Sequence, residues 1–164
     1  MENQPDKFGG NTEWREIIIS RLLNAPRELV FEAWTDPKHL INWWGPKGFT
    51  NTFYEIEIKT GGKWKFIMHG PDGTDYPNFV SFIEVKRPER MVYLHGSHED
   101  EEPRFKATIT FEEQGDKTML TMHSIFATAE ERAYVVKEFR AVEGGNQTLD
   151  RLEQELLLMS ITKN

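Results

Sequence analysis

From Thr52 to Phe126 apolar residues recur at every second position, and turn signals interrupt the pattern at regular intervals. They are Thr60-Gly61-Gly62, Pro71-Asp72-Gly73, Pro88-Glu89, the acidic run Glu99 to Glu102, and Gln114-Gly115-Asp116. A period of two over that length predicts an antiparallel meander of six strands. Trp64, Phe66 and Met68 share one face against Lys63 and Lys65. Phe105, Ala107, Ile109 and Phe111 oppose Arg104, Lys106, Thr108 and Thr110 in the same way. Such a sheet has one dry face and one wet face. Leu120, Met122 and Phe126 lie opposite Thr121 and His123, whereas Met91 to His95 is apolar on both sides and its inner face cannot be assigned from the pattern.

The flanking segments follow other rules. Thr12 to Leu23, with Trp14, Ile17, Ile18 and Ile19, reads as a first strand. Pro26 and Glu28 open a helix that carries Leu29, Val30, Ala33 and Trp34 and stops at Thr35. Asp36-Pro37 starts a second short helix with Leu40, Ile41, Trp43 and Trp44, broken by Gly45-Pro46. Thr128 and Glu131 form a capping box for a helix predicted to run towards Ser160. Its apolar stripe passes through Val135, Phe139, Val142, position 146, Leu149, Leu152 and Leu156, and position 146 is Asn. The short helices cannot cover a dry face of seven strands, so the C-terminal helix must. A twisted sheet wrapped round one helix leaves a gap in which a ligand would sit.

Composition narrows the classes of function. The 164 residues include 20 Lys and Arg against 27 Asp and Glu, a formal charge of −7. That balance, with no basic stripe, argues against nucleic acid as a partner. At this length about 70% of the unfolded chain's surface can be buried, enough for one core. Residues 1–11 (MENQPDKFGGN) are polar and read as a disordered lead, leaving 12–164 as a single domain with no membrane span expected. The chain has no cysteine, which excludes thiol chemistry and fits a reducing compartment, so a cytoplasmic location is expected. Twenty aromatic residues, 12% of the chain, suit an apolar pocket as well as a core.

The string Ala25-Pro26-Arg27-Glu28-Leu29-Val30-Phe31-Glu32-Ala33-Trp34-Thr35-Asp36-Pro37, followed by Trp43-Trp44-Gly45-Pro46, resembles the opening signature of the START-like (SRPBCC) superfamily. More narrowly it is similar to the branch named after the activator of heat-shock protein 90 ATPase. Three later segments agree: Gly61 to Gly73, Pro88 to Tyr93, and Thr148 to Glu153. The resemblance spans Trp14 to Leu158. It implies an α+β helix-grip fold, a curved antiparallel sheet of about seven strands wrapped round a long C-terminal helix, with two short helices after the first strand. It also implies a cavity, which in this superfamily serves lipid transfer, hormone binding, cyclase and dehydratase chemistry, or chaperone contacts. Many members of the branch carry Gly-Trp where this chain has Gly145-Asn146, which implies a deeper and more polar pocket end here.

On this reading Trp44, Trp64, Phe66, Met68, Tyr76, Phe105, Met122, Phe139 and Val142 are the expected ligand-binding residues, with Asn146 as a polar contact. Trp44 or Tyr76 would guard the mouth. Trp43 and Trp44 either close that mouth or staple the short helices to the sheet. Gly144-Gly145 lets the long helix approach its neighbours closely. His69, His95 or His123 would serve as a general base only if it faced the cavity, and the pattern turns His123 outward. Arg140 and Glu143 suit an exposed helical pair or a polar subsite. No metal-ligand spacing and no cofactor motif is present. The expected function is therefore non-covalent binding of a small, largely apolar molecule. The alternatives are a partner of a chaperone ATPase, or a cyclase- or dehydratase-like enzyme using His69, His95 or Glu143. The sequence leaves homodimerisation undecided.

Overall fold

The computed structural model describes residues 6–163, with side chains to residue 161. The chain runs β1 (Glu16–Leu23), α1 (Arg27–Thr35), α2 (Pro37–Trp43), β2 (Thr50–Ile56), β3 (Lys63–His69), β4 (Asp75–Lys86), β5 (Arg90–Gly96), β6 (Phe105–Gln114), β7 (Lys117–Phe126), α3 (Ala129–Glu138) and α4 (Ala141–Lys163). All seven strands join one antiparallel sheet in the order β1-β7-β6-β5-β4-β3-β2. The six-strand meander and the two short helices lie where the sequence puts them. β1 closes the order by pairing with β7, from Glu16 opposite Ile125 to Leu23 opposite Thr118.

Alternation sets the inner face. Ile17, Ile19 and Leu23 of β1 are buried, while Ile18 and Leu22 are exposed. β5, which the pattern left unassigned, turns Met91, Tyr93 and His95 inward. Its outward residues Val92 and Leu94 are half-buried, so hydrophobicity alone does not distinguish its two sides. Register shifts between Phe53 and Glu55 in β2 and between Phe82 and Glu84 in β4 mark bulges. Each adds local bend and twist, which suits a sheet curved round a helix.

The inner face is covered from two sides. Val30, Phe31, Ala33 and Trp34 of α1 and Leu40 and Trp43 of α2 are buried. Leu149, Leu152, Leu156 and Met159 of α4 bury the other half of the core. Asp36 caps α2 by accepting from the Lys38 N–H at 3.0 Å. Arg151 of α4 closes the far end of α2, donating from Nη1 to the carbonyls of Gly45 (2.9 Å) and Pro46 (3.0 Å) and from Nη2 to that of Asn42 (3.1 Å). The two glycines near the start of α4 do allow close approach. A Cβ on Gly145 would collide with Ile19 of β1, and one on Gly144 would lie 3.2 Å from Pro46 Cγ.

Two expectations need correction. The helix opened by Thr128, whose hydroxyl accepts from the Glu131 N–H at 3.1 Å, does not run unbroken to Ser160. It stops at Glu138, passes through Phe139, and turns at Arg140, whose φ of 48° is left-handed, before α4 begins. Of the polar lead, residues 1–5 lie outside the described residues, but residues 6–11 are held rather than loose. Phe8 is buried. The Arg15 guanidinium donates to the carbonyls of Lys7 (2.7 Å), Gly9 (2.6 Å) and Asn11 (2.9 Å), and to Phe126 O of β7 (3.0 Å). Among the described residues no helix is long and apolar enough to cross a membrane.

Gly45 offers a clean test of the packing between α2 and β3. Its φ is 101°, and a Cβ there would sit 2.8 Å from Met68 Cε and 3.2 Å from Phe49 Cβ. Gly61 has a similar φ of 84° but nothing within 4 Å. Gly61→Ala is expected to cost about 1 kcal/mol for the left-handed backbone alone. Gly45→Ala is expected to cost about 1 kcal/mol more, because Phe49 Cβ must give way while the flexible Met68 side chain can swing aside. Urea midpoints of the two variants check the difference.

Candidate functional site

The inner face carries a continuous band of rings because strand register places them side by side. Trp64 lies opposite Val80, Val80 opposite His95, His95 opposite Phe105, and Phe105 opposite Phe126. Trp64 stacks on Phe66 with centroids 4.0 Å apart. Phe66 is 6.1 Å from His95, His95 is 4.9 Å from Phe105, and Phe105 is 5.2 Å from Phe126. At the other end Trp44 meets Trp64 edge-on at 5.1 Å and continues the band to Trp34 and Trp43. Such edge-on and offset contacts are the favoured aromatic geometries.

Coverage of this band is uneven. Trp44, Trp64 and Phe66 are buried, whereas Met68, Tyr76, Phe105 and Met122 are only half-buried. The helix next to β7, α3, has no buried residue; Val135 and Val136 rest only partly against the core. Two surface hollows of about 450 and 650 Å³ lie elsewhere, one along Phe79 and the Ser97–Asp100 loop, the other between Glu101–Arg104 and the outer side of α3.

One polar side chain interrupts the rings. His95 is 8% exposed, and its Nε2 lies 2.8 Å from Asn78 Oδ1. The Asn78 amide donates from Nδ2 to Tyr76 O at 2.9 Å, which leaves Oδ1 as the acceptor. Nε2 therefore carries the proton, and Nδ1 is a bare acceptor. Nδ1 is buried and has no hydrogen-bond partner in the protein. Burial, assisted by the positive charge of Arg104, pushes the imidazole pKa down to about 4, so the ring is neutral at physiological pH. Trp64 Nε1 is a second buried polar atom on this face without a partner.

The residues expected to bind ligand divide into two groups. Trp44, Trp64, Phe66, Met68, Tyr76, Phe105 and Met122 lie on or beside the band. Trp44 is 7% exposed and packs on Trp64 and Phe66, so it staples the end of α2 to β3, while Trp43 is fully buried and its Nε1 donates to Ala33 O at 3.0 Å, which ties the two short helices together. Tyr76 is half-buried and tilts on Phe49 at 5.9 Å. Phe139, Val142 and Asn146 lie apart from the band. Phe139 is 50% and Val142 40% exposed, and the Phe139 ring packs on Tyr134 at 5.6 Å. Asn146 is exposed, donates from Nδ2 to Val142 O at 3.0 Å, and accepts from Arg21 at its own carbonyl (3.1 Å). The turn at Arg140 accounts for Phe139, which ends α3 on a different axis, whereas Val142 and Asn146 lie in the first turns of α4, before its buried run begins at Thr148.

The other histidines face away from the band. His69 sits on the outer face between Thr52 Oγ1 and Asp75 Oδ1, each at 2.7 Å. His123 pairs outward with Glu16 at 2.8 Å, as its strand parity implied. His39 meets the buried Glu155 at 2.8 Å, and His98 is exposed in a loop. Glu143 pairs with Arg140 at 3.8 Å, both side chains being exposed. Among the described residues no three His, Asp or Glu side chains form a metal-holding group. Asn78 escaped the sequence reading, although its parity with Val80 and Phe82 carried the signal.

Comparison with known proteins gives a consistent answer. A search of curated proteins finds no match. Among solved structures, a protein from Nitrosomonas europaea is 24% identical with a TM-score of 0.81, covering 90% of this chain and 97% of that one. A protein from Arthrobacter aurescens is 27% identical at a TM-score of 0.80, covering 90% and 89%. An AHSA1 protein from Silicibacter pomeroyi is 22% identical at a TM-score of 0.71, covering 88% and 99%. The family model described as activator of Hsp90 ATPase homolog 1-like protein matches residues 24–156. These residues run from the turn before α1 into the buried stripe of α4, and the chain belongs to that family.

Proposed function

We propose that the protein binds a small, largely apolar molecule against the aromatic band, on the side where α3 covers the sheet. The observation that carries this reading is the mismatch between rings and cover. Phe105 and Met122 stay half-buried while α3, which packs on β7 beside them, buries nothing fully. Ligand sites in small domains are mostly apolar with a few fixed polar groups, and a band holding one neutral imidazole fits that composition. A role for His95 as a general base at neutral pH is disfavoured, because a group with a pKa near 4 takes up a proton weakly there.

Native mass spectrometry of freshly purified protein, beside the same sample after denaturing extraction, tests the reading. The expected result is a defined extra mass that disappears on extraction. Failure of both co-purified and added aromatic compounds to bind would overturn it.

The family description favours a second reading, a partner of a chaperone ATPase. On that reading the purified protein raises the ATPase rate of an Hsp90-type chaperone. An unchanged rate across a titration to saturating protein removes it.

The neutral state of His95 makes its own prediction about stability. Its pKa is about 4 in the folded chain, below the ordinary 6.5, so between those values the unfolded chain binds a proton that the folded chain excludes. Stability from this source is complete above the ordinary value and falls as the pH drops towards 4. At about pH 5 the expected loss is about 2 kcal/mol relative to pH 7.5, and His95→Phe removes it. Urea midpoints of the two proteins at both pH values check the difference.

A further inference from the structure

Among the described residues most buried side-chain polar groups are answered. Thr118 Oγ1 donates to Ala25 O at 2.8 Å, Thr148 Oγ1 to Gly144 O at 2.8 Å, and Glu155 accepts from His39 and Asn42. His95 Nδ1 is not. An acceptor left without a donor inside a protein is uncommon and costs free energy in the folded state. The arrangement round it is nevertheless built up in steps. Tyr76 O orients Asn78, Asn78 Oδ1 sets the tautomer, and the tautomer leaves the lone pair of Nδ1 buried among the rings without a donor.

We infer that His95 Nδ1 is the polar contact of the proposed ligand site, and that the ligand is a neutral, ring-sized molecule presenting one N–H or O–H donor. This rests on the aromatic-face reading given above and adds the chemistry it selects. A carboxylate would set its charge against a lone pair, and a cation would lose its hydration among Phe66, Phe105 and Tyr93. A wholly apolar molecule would fill the same space but leave Nδ1 unpaired. Phe105, half-buried and 4.9 Å from the imidazole, is the neighbouring ring that would have to turn aside to admit the donor. Asn78 acts as a positioning residue, since it touches the imidazole and not the ligand.

Indole and benzofuran separate the two levels of the argument. They match in shape, but only indole has an N–H donor. Chemical-shift titrations of the protein with each give the affinities. The expected result is that indole binds about fivefold to tenfold more tightly, the worth of one buried hydrogen bond. The same preference, read as the ratio of the two affinities within each variant, should vanish in His95→Phe and shrink in Asn78→Leu. In the wild-type protein the 15N signal of His95 Nδ1 should move with indole and stay still with benzofuran, a readout that needs no variant. Equal binding of both probes, or a preference that survives in a folded His95→Phe, would overturn the inference and leave the aromatic-face reading standing. A shift of the Nδ1 signal by neither probe while both bind would do the same. Binding of neither probe would overturn that reading itself, and the role of His95 with it.

Discussion

An inner sheet face seven strands wide has to be covered by apolar surface from the rest of the chain, and most of this structure follows from how that is met. A single helix contacts a stripe, not a plane. α4 supplies Leu149, Leu152, Leu156 and Met159, and its glycine pair lets it come close to Ile19 on one side and Pro46 on the other. α1 and α2 add Phe31, Trp34, Leu40 and Trp43. These elements lock one another in place through Arg151, whose guanidinium is shared among the carbonyls after α2. What is left of the face lies towards α3, and there the cover thins.

The same accounting applied to polar groups leaves Trp34 Nε1, Asn51 Oδ1, Trp64 Nε1 and His95 Nδ1 buried without a partner among the described residues, and of these only His95 is titratable. Burial raises the pKa of Tyr93 and lowers that of His95, and each therefore stays neutral inside the sheet. Arg21, by contrast, remains at the surface between β1 and α4, held by Asp150 at 2.7 Å and Glu153 at 2.9 Å, which raise its pKa. These charged groups tie α4 to β1 at the surface, the buried Glu155 of α4 is met by His39 and Asn42 of α2, and the aromatic band keeps neutral rings and a single imidazole locked in one tautomer. A site of this kind discriminates by shape and by one hydrogen bond, not by charge.

Most of the fold was legible because it rests on local rules. The period of two, the turn residues, Asp36-Pro37 and the Thr128 capping box are each decided within a few residues, and the elements lie where those signals put them. The candidate site was legible only in part. Trp64, Phe66, Phe105 and Met122 follow from strand parity, and they line the inner face. Phe139, Val142 and Asn146 followed from a helical stripe, and they do not. For Phe139 the reason is Arg140: a non-glycine residue in the left-handed region carries no local signature, and it is adopted where packing of α3 and α4 on different parts of the sheet outweighs its cost. Val142 and Asn146 share α4 with Leu149, but side chains of that helix are buried only from Thr148 onward, which periodicity within the helix does not encode.

The sequence by itself determined the order of elements, the dry side of most strands and the family to which the chain belongs, because these depend on patterns within one element and on motifs in fixed order. Only the tertiary structure decided that the C-terminal helix divides, that residues 6–11 are pinned by Arg15, and that His95 faces inward against Asn78. Each of those depends on groups distant in sequence meeting across the sheet: Arg15 with Phe126, His95 with Asn78, Gly145 with Ile19. The polarity of a buried atom depends on which partner register brings beside it. For His95 that partner fixes a proton on one nitrogen and leaves the other open.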